Sequence, residues 1–429
     1  MSMKQIVGTA IGKSLRQVTR LRSGAGQALP GLVVERLFPD YYANMLQQLP
    51  EGVVVITGTN GKTTTTKMVV ELLRANGKRV LTNPTGSNLT RGINSMLIHQ
   101  ATASGKLPFD IAVLELDEAY ARLFAKQVPV RWVLALNVTR DQLDRFGEVD
   151  TAGAMIAQTM AVATEGIVTN TDDARLLPAA QQILQDRPDL KLQTFGVADA
   201  MRGQFPRDDE LVSVGGAPTP HKQSSVLPDV LLSNIDGQHA SYNLAGTEYD
   251  GEFALSGQHN FQNAAAAAAL VSALLPKLSA EQLISQLRAV KPAFGRGEVF
   301  RLKNNSKLRV VLVKNPAGFR QALASYLPST APIMIAINDN IADGRDVSWL
   351  WDVDFAQLRE AEVYCTSGSR AADMALRLQY DGVATATVEP DVMAALAAYC
   401  DLPGDKLLFT TYTAMLRMHA ILKREATAL

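Results

Sequence analysis

The run Val53-Val54-Val55-Ile56-Thr57-Gly58-Thr59-Asn60-Gly61-Lys62-Thr63-Thr64 constrains this chain more than any other stretch. Its β-branched start predicts a strand, its two glycines a tight turn, and the residues from Lys62 onward the start of a helix. That order leaves backbone N–H groups at a helix N-terminus, where they and the helix dipole can hold phosphate. Lys62 adds a point charge for the terminal phosphates, and the Thr63 hydroxyl is placed for Mg²⁺. The common phosphate-loop spacing needs a glycine at position 56, where this chain has Ile56. Gly58 to Thr63 is therefore a shorter variant. An ordinary glycine turn between strand and helix is the plain alternative.

Composition removes several function classes. The 429 residues are 47% hydrophobic and 20% charged, so a sizeable folded core is expected. The formal net charge is zero, which argues against a nucleic-acid protein working through bulk positive charge. Only Cys365 and Cys400 are present, too few for a disulfide framework or a four-cysteine zinc site, so no zinc is expected. No apolar run is long enough to span a membrane, and Lys13 and Arg16 interrupt any signal-like apolar stretch. The expected location is the cytoplasm.

Residues 1–40 read as a basic N-terminal helix and lead-in. Ile6, Ala10, Ile11, Leu15 and Val18 recur at helical spacing beside Lys4, Lys13, Arg16, Arg20 and Arg22. A helix packed on the next domain is the favoured reading. A weak peripheral contact with an anionic membrane, at the inner face of the plasma membrane, is the alternative.

Residues 41–295 form the expected central domain. Its strands end in polar residues: Glu115 to Glu118, Asn137 to Gly147, and Asn170 to Asp173. Ligands of open α/β sheets bind at that edge, and Glu115 suits a second metal ligand. The donor-rich segment with Asn83, Gly86, Ser87, Asn88 and Arg91 is either a plain loop or a site for a substrate anion. Residues 198–250 read as an insertion or small β-layer without zinc cysteines. Phe294 to Glu298 reads as a hinge into a C-terminal domain, 296–429, where strands and helices alternate as a second doubly wound, Rossmann-like α/β unit. There the acid-rich loop Asn338 to Trp349 follows a strand.

Together these pieces resemble the Mur ligase superfamily, the ATP-dependent ligases of peptidoglycan precursor and folate synthesis. The matching residues are Gly58 to Thr63, Glu115, Asn137 to Gly147, Asn170 to Asp173, Gly257-Gln258-His259-Asn260 with Asn263, and Gly295-Arg296. Leu312 to Phe319 and Asn338 to Trp349 refine the match to the ligase-like subunits of lipid II isoglutaminyl synthases. The implied fold is a P-loop-type central Mur ligase domain plus the C-terminal α/β domain. Three departures stand out: Gln142 replaces the metal-proximal histidine of many Mur ligases, as it does in the isoglutaminyl synthase subunits; the 198–250 region lacks the four zinc-ribbon cysteines that many of those subunits carry; and the Mur amino-acid-binding motif of the last domain is not recognisable.

The resemblance implies that ATP phosphorylates the α-carboxylate of D-glutamate in the lipid II stem peptide and that ammonia displaces the phosphate. Lys62 and Glu115 would be catalytic, with Thr63 and Glu115 on Mg²⁺. Gly58, Thr59, Asn60, Gly61, Lys62, Thr63, Thr64, His259, Asn263 and Arg296 would bind the nucleotide. The chain shows no glutaminase nucleophile of its own, so ammonia is expected from a GatD-type glutamine amidotransferase. Asp346 would reach that partner's histidine, with Trp349 and Trp351 as anchors. Capping a local turn is the plain alternative for Asp346, with Asp343 or Asp352 equally placed for the orienting role. The rival functions are a self-sufficient amino-acid ligase of Mur or folylpolyglutamate type and a non-catalytic ATP-binding scaffold.

Overall fold

The computed structural model describes residues 3–22, 29–83, 90–139, 149–205, 226–255, 257–291 and 296–428. Helices α1 (Met3–Arg22), α2 (Leu29–Leu37) and α3 (Tyr41–Leu46) lead into β1 (Val53–Thr57) and α4 (Lys62–Ala75). Then come β2 (Val80–Leu81), α5 (Thr90–Gln100), β3 (Ile111–Glu115), α6 (Glu118–Ala125), β4 (Val130–Ala135) and α7 (Val149–Ala161). The domain continues through β5 (Ala163–Asn170), α8 (Leu176–Asp186), β6 (Lys191–Val197), β7 (Val230–Asp236), β8 (His239–Leu244), β9 (Thr247–Glu252), α9 (Gln258–Leu274) and α10 (Ala280–Arg288).

These strands make one sheet in the order β2, β3, β1, β4, β5, β6, β7, β8, β9. The pairs from β2 to β7 are parallel, and β7, β8 and β9 run antiparallel at the far edge. Residues 230–252 are thus not a separate layer: they carry the central sheet on. Both faces of β1 are covered, which is why its sequence is apolar without alternation. Val54 and Ile56 pack with α4, α9 and α10. Val53 and Val55 pack with α2, α3, α5, α6, α7 and α8. In α9 the run Ala264 to Ala269 is wholly buried; small side chains let that helix approach β6 and β7 closely.

The helix α1 packs on this domain, but of the apolar residues its spacing suggested Ile6 and Ala10 are exposed and Ile11 and Leu15 only half-buried. Its buried face is Gln5, Gly8, Thr9 and Gly12. Thr9 shares a hydrogen bond with the Tyr41 hydroxyl at 2.8 Å, and Gln5 donates to the Asn44 carbonyl. A Cβ at Gly12 would lie 2.7 Å from the Ile98 side chain. Close approach takes precedence over apolar area here, and Ile6 and Val7 are left exposed.

The C-terminal domain comprises β10 (Arg296–Arg301), β11 (Lys307–Leu312), α11 (Pro316–Tyr326), β12 (Ile333–Ala336), β13 (Val363–Ser367), α12 (Ala371–Tyr380) and β14 (Thr385–Glu389). It ends with α13 (Val392–Asp401), β15 (Lys406–Thr410), α14 (Tyr412–Glu425) and β16 (Thr427–Ala428). Its sheet order is β14, β13, β12, β15, β11, β10, β16, with a parallel centre and an antiparallel edge. Arg296 to Glu298, expected as a hinge, open the strand β10, while 292–295 lie outside the described residues.

Candidate functional site

The phosphate-type loop sits where the expected strand, turn and helix meet. Gly58 and Gly61 have φ of +131° and +86°, conformations that L side chains rarely adopt. A Cβ at Gly61 would stand 2.2 Å from Asn263 Oδ1, so the second glycine is also required by space.

The end of β4 pins the loop. The Asn60 N–H donates to Asn137 Oδ1 at 2.9 Å, and Asn137 Nδ2 donates to the Asn60 carbonyl at 3.0 Å. The Thr59 N–H donates to the Asn137 carbonyl at 3.0 Å, and Asn60 Nδ2 donates to Thr139 Oγ1 at 2.9 Å. Asn137 is therefore a buttress rather than a free ligand of the cleft. Residues 140–148, which include Gln142, lie outside the described residues.

Lys62 begins α4 and folds back on the loop, donating to the Gly58 carbonyl and to the Thr59 carbonyl at 3.2 Å. Its ammonium also lies 3.7 Å from Glu118, a carboxylate only 3% exposed. Glu118 had been noted only among the polar residues at a strand end; its ion pair with Lys62 was not foreseen. Glu115 is buried at the end of β3 beside Ile56 of β1. Its backbone is clipped to Asn83: Asn83 Nδ2 donates to the Glu115 carbonyl at 2.9 Å, and the Glu115 N–H donates to Asn83 Oδ1 at 3.0 Å. Asn83 thus ties β2 to β3. Arg91 is exposed and lies 3.8 Å from Glu35. Gly86, Ser87 and Asn88 lie outside the described residues.

One cleft runs between the two domains. Asn60, Gly61 and Thr64 line it with His259 and Asn263 of α9, so three elements expected to bind nucleotide meet there. Asp173 lines it too, and burial pushes its carboxyl above the ordinary range. It accepts the N–H groups of Val138, Arg175 and Leu176 at 2.7–3.0 Å, which brings the ends of β4 and β5 together. Arg296 starts β10, and its side chain is outside the described set.

The opposite wall belongs to the C-terminal domain. Asn315 caps α11, its Oδ1 accepting the Gly318 N–H at 2.8 Å, with Pro316 at the first helical turn. Its Nδ2 crosses to Asn60 Oδ1 at 3.0 Å. Next to it, Lys314 donates to the Thr59 carbonyl at 3.3 Å. The residues of Lys314-Asn315-Pro316 had been noted without a role; Asn-Pro as helix cap and first turn was the available signal.

Asp346, Asp343 and Asp352 separate clearly. Asp343 is buried and accepts both the N–H and the hydroxyl of Thr413, so its carboxylate anchors the 338–349 loop. Asp346 is half-buried and accepts the Ser348 N–H at 2.8 Å, the local turn role considered above. Asp352 is exposed. Trp349, expected as a surface anchor, is instead a core residue packed on Phe319 with ring centroids 6.3 Å apart. Trp351 is 51% exposed, stacks edge-on against Tyr380 and lies under the Arg377 guanidinium.

A parallel sheet with a shortened phosphate loop, facing a second α/β domain across a cleft, defines a ligase of Mur type. The family model described as the Mur ligase middle domain matches residues 56–271, and that of the MurT ligase C-terminal domain matches 312–415. The MurT subunit of lipid II isoglutaminyl synthase from Streptococcus pneumoniae is 30% identical over 98% of each chain. That from Staphylococcus aureus is 29% identical over 98% of each chain. Among solved structures, MurF from Acinetobacter baumannii aligns with a TM-score of 0.66 at 19% identity, covering 93% of this chain and 80% of its own. MurF from Thermotoga maritima in complex with ADP gives 0.65 at 16% identity, covering 91% and 84%. The chain belongs to the MurT family of Mur ligases.

Proposed function

We propose that this chain is the ATP-dependent amidating subunit of a lipid II isoglutaminyl synthase. The supporting observation is the glycine-built phosphate loop, set in an interdomain cleft and bonded from both sides. The D-glutamate α-carboxylate of the lipid II stem peptide attacks the γ-phosphorus of ATP. A carboxylate O–P bond forms, the β,γ-bridging O–P bond breaks, and ADP leaves. Ammonia then attacks the acyl carbon, phosphate departs with the former carboxylate oxygen, and a proton is lost to give the amide. Phosphorylation turns a poor leaving group into a good one.

Lys62 offsets the charge of two anions brought together. Thr63 and Glu115 come from adjacent elements and offer hard oxygens, the donor set Mg²⁺ accepts beside phosphates. The metal would supply further charge neutralisation there. Asn263 and His259 would hold the nucleotide from α9.

A GatD-type glutaminase would supply the ammonia, and Asp346 would orient its histidine by accepting an imidazole N–H. No described helix is long and apolar enough to cross a membrane; the lipid-linked substrate would bring the chain to the inner face of the plasma membrane.

The test is mass spectrometry of lipid II incubated with this chain, ATP, Mg²⁺ and ammonium. The expected result is conversion of one carboxylate to a carboxamide. Incorporation of an amino acid and none of ammonia would establish an ordinary amino-acid ligase instead. With the glutaminase added, Asp346→Asn should abolish glutamine-driven amidation and spare the ammonium-driven reaction.

A further inference from the structure

Two ammonium groups from different domains converge on one backbone oxygen. The Thr59 carbonyl accepts from Lys62 Nζ at 3.2 Å and from Lys314 Nζ at 3.3 Å. The two nitrogens are therefore at most two hydrogen-bond lengths apart, on the phosphate loop itself. Like charges repel at such range; Glu118, 3.7 Å from Lys62, offsets part of that repulsion, and an anion placed between the two ammonium groups relieves the rest.

The position of Lys314 is built rather than incidental. It directly follows Val313, which is buried and whose N–H is held by the Thr410 carbonyl. It directly precedes Asn315, which is fully buried, caps α11 and bonds to Asn60. The start of α11 also faces the loop: a Cβ at Gly318 would lie 3.9 Å from Asn60 Oδ1. The partial positive charge of that helix end adds to the same side of the cleft.

We infer that Lys314 binds the phosphoryl group that is transferred, as a second cation opposite Lys62. The inference rests on the reading that this loop takes ATP. Charge in phosphoryl transfer spreads over three equatorial oxygens, so cations on two sides stabilise it better than one. Because Lys314 belongs to the C-terminal domain, it reaches that group only while the domain is docked on the loop. Domain docking and phosphoryl transfer are then one event. With ADP in the site Lys314 has no γ-phosphate to hold and stays on the Thr59 carbonyl.

The experiment compares binding of ADP and of a β,γ-imido ATP analogue by calorimetry, in the full-length chain with Mg²⁺. It uses wild type, Lys314→Met, Lys314→Arg and Lys62→Ala, with a melting curve of each without nucleotide. Lys314→Met keeps an apolar stem of similar length and removes the charge. The expected result is a loss of about tenfold or more in affinity for the ATP analogue, the scale of one charge-assisted hydrogen bond, with ADP affinity unchanged. Lys314→Arg should restore most of the preference. In ammonium-driven amidation Lys314→Met should lower kcat and leave the KM for lipid II unchanged. Equal loss for both nucleotides overturns the inference. So does unchanged analogue affinity with a raised KM for lipid II, which would assign Lys314 to the acceptor carboxylate. Lys62→Ala separates the two levels. If it leaves both nucleotides bound as in wild type, the nucleotide reading itself fails and the inference with it. If Lys62→Ala loses the analogue and Lys314→Met does not, only the inference fails.

Discussion

Asn315 performs two tasks that substitutions can separate. Its Oδ1 caps α11 through the Gly318 N–H, and its Nδ2 joins the domains through Asn60 Oδ1. Asn315→Ala removes both. Loss of a side-chain N-cap costs about 1 kcal/mol, and loss of the partly buried hydrogen bond to Asn60 about 1 kcal/mol more. Asn315→Ser keeps an acceptor for the cap but is too short to reach Asn60, so it should cost roughly half as much. Trp349 and Trp351 lie in the C-terminal domain, so in a Trp132→Phe background tryptophan fluorescence during urea unfolding reports on it. The midpoint should fall in the order wild type, Ser, Ala at constant slope. A double-mutant cycle with Asn60→Ala should give a coupling of about 0.5–1.5 kcal/mol for the cross-domain bond. Equal stabilities for Ser and Ala would refute the cap assignment. A coupling of zero would refute the interdomain bond.

Gly61→Ala should leave a folded chain but lower ADP affinity by calorimetry, since a left-handed L residue costs about 1–2 kcal/mol and the new Cβ displaces Asn263. Asp343→Ala should destabilise the 338–349 loop by about 1–3 kcal/mol, by leaving the half-buried Thr413 N–H and hydroxyl without their acceptor, and should lower glutamine-driven and ammonium-driven amidation together. Asp110 accepts the Arg79 N–H and guanidinium, which holds its carboxyl down at about 2. Its contribution is present above the ordinary carboxylate value and lost as pH falls through about 2. Asp110→Asn should therefore be less stable than wild type at neutral pH and equal to it in strong acid, with the gap shrinking in salt.

The parallel strands were legible because they are buried on both faces. Val53 to Thr57 and Ile111 to Leu114 could hardly be anything else once Gly and Asp bound them. The outer strands were not: Thr385–Glu389 forms β14 with a largely exposed surface and no apolar run, and β10, next to the opposite edge, begins inside a Gly-Arg-Gly stretch that reads as a hinge. The buried face of α1 escaped for a different reason. Periodicity weighs apolar residues, while Gly8 and Gly12 are buried because they are small, against Tyr41 and Ile98. Trp349 shows the converse error: an aromatic in a polar loop was read as a surface anchor, but it fills the space beside Phe319. The loop Gly58 to Thr63 was legible at once, whereas Glu118 and Lys314 were not. Their meaning depends on distances to Lys62 and Thr59 from residues far away in sequence.

The shortened loop explains why asparagines recur around it. Ile56 is wholly buried and pairs with Glu115 and Leu134, so β1 runs unbroken to Thr57 and no earlier glycine can join the turn. Only Gly58 to Gly61 remain to shape the cradle, and so short a loop must be held from outside. Asn60 is where that happens. Its N–H and carbonyl engage the Asn137 amide, its Nδ2 donates to Thr139, and its Oδ1 accepts from Asn315. Donor and acceptor at both ends of one side chain are thus committed to opposite walls of the cleft, which fixes the orientation of the Asn60 amide. Glycine at position 60 would lose both side-chain bonds, whereas aspartate would keep the bond from Asn315 and keep that to Thr139 only by turning the Thr139 hydroxyl round to donate. The same residue that fixes the loop also receives the C-terminal domain, so a change in loop conformation cannot leave the docking of that domain unaltered.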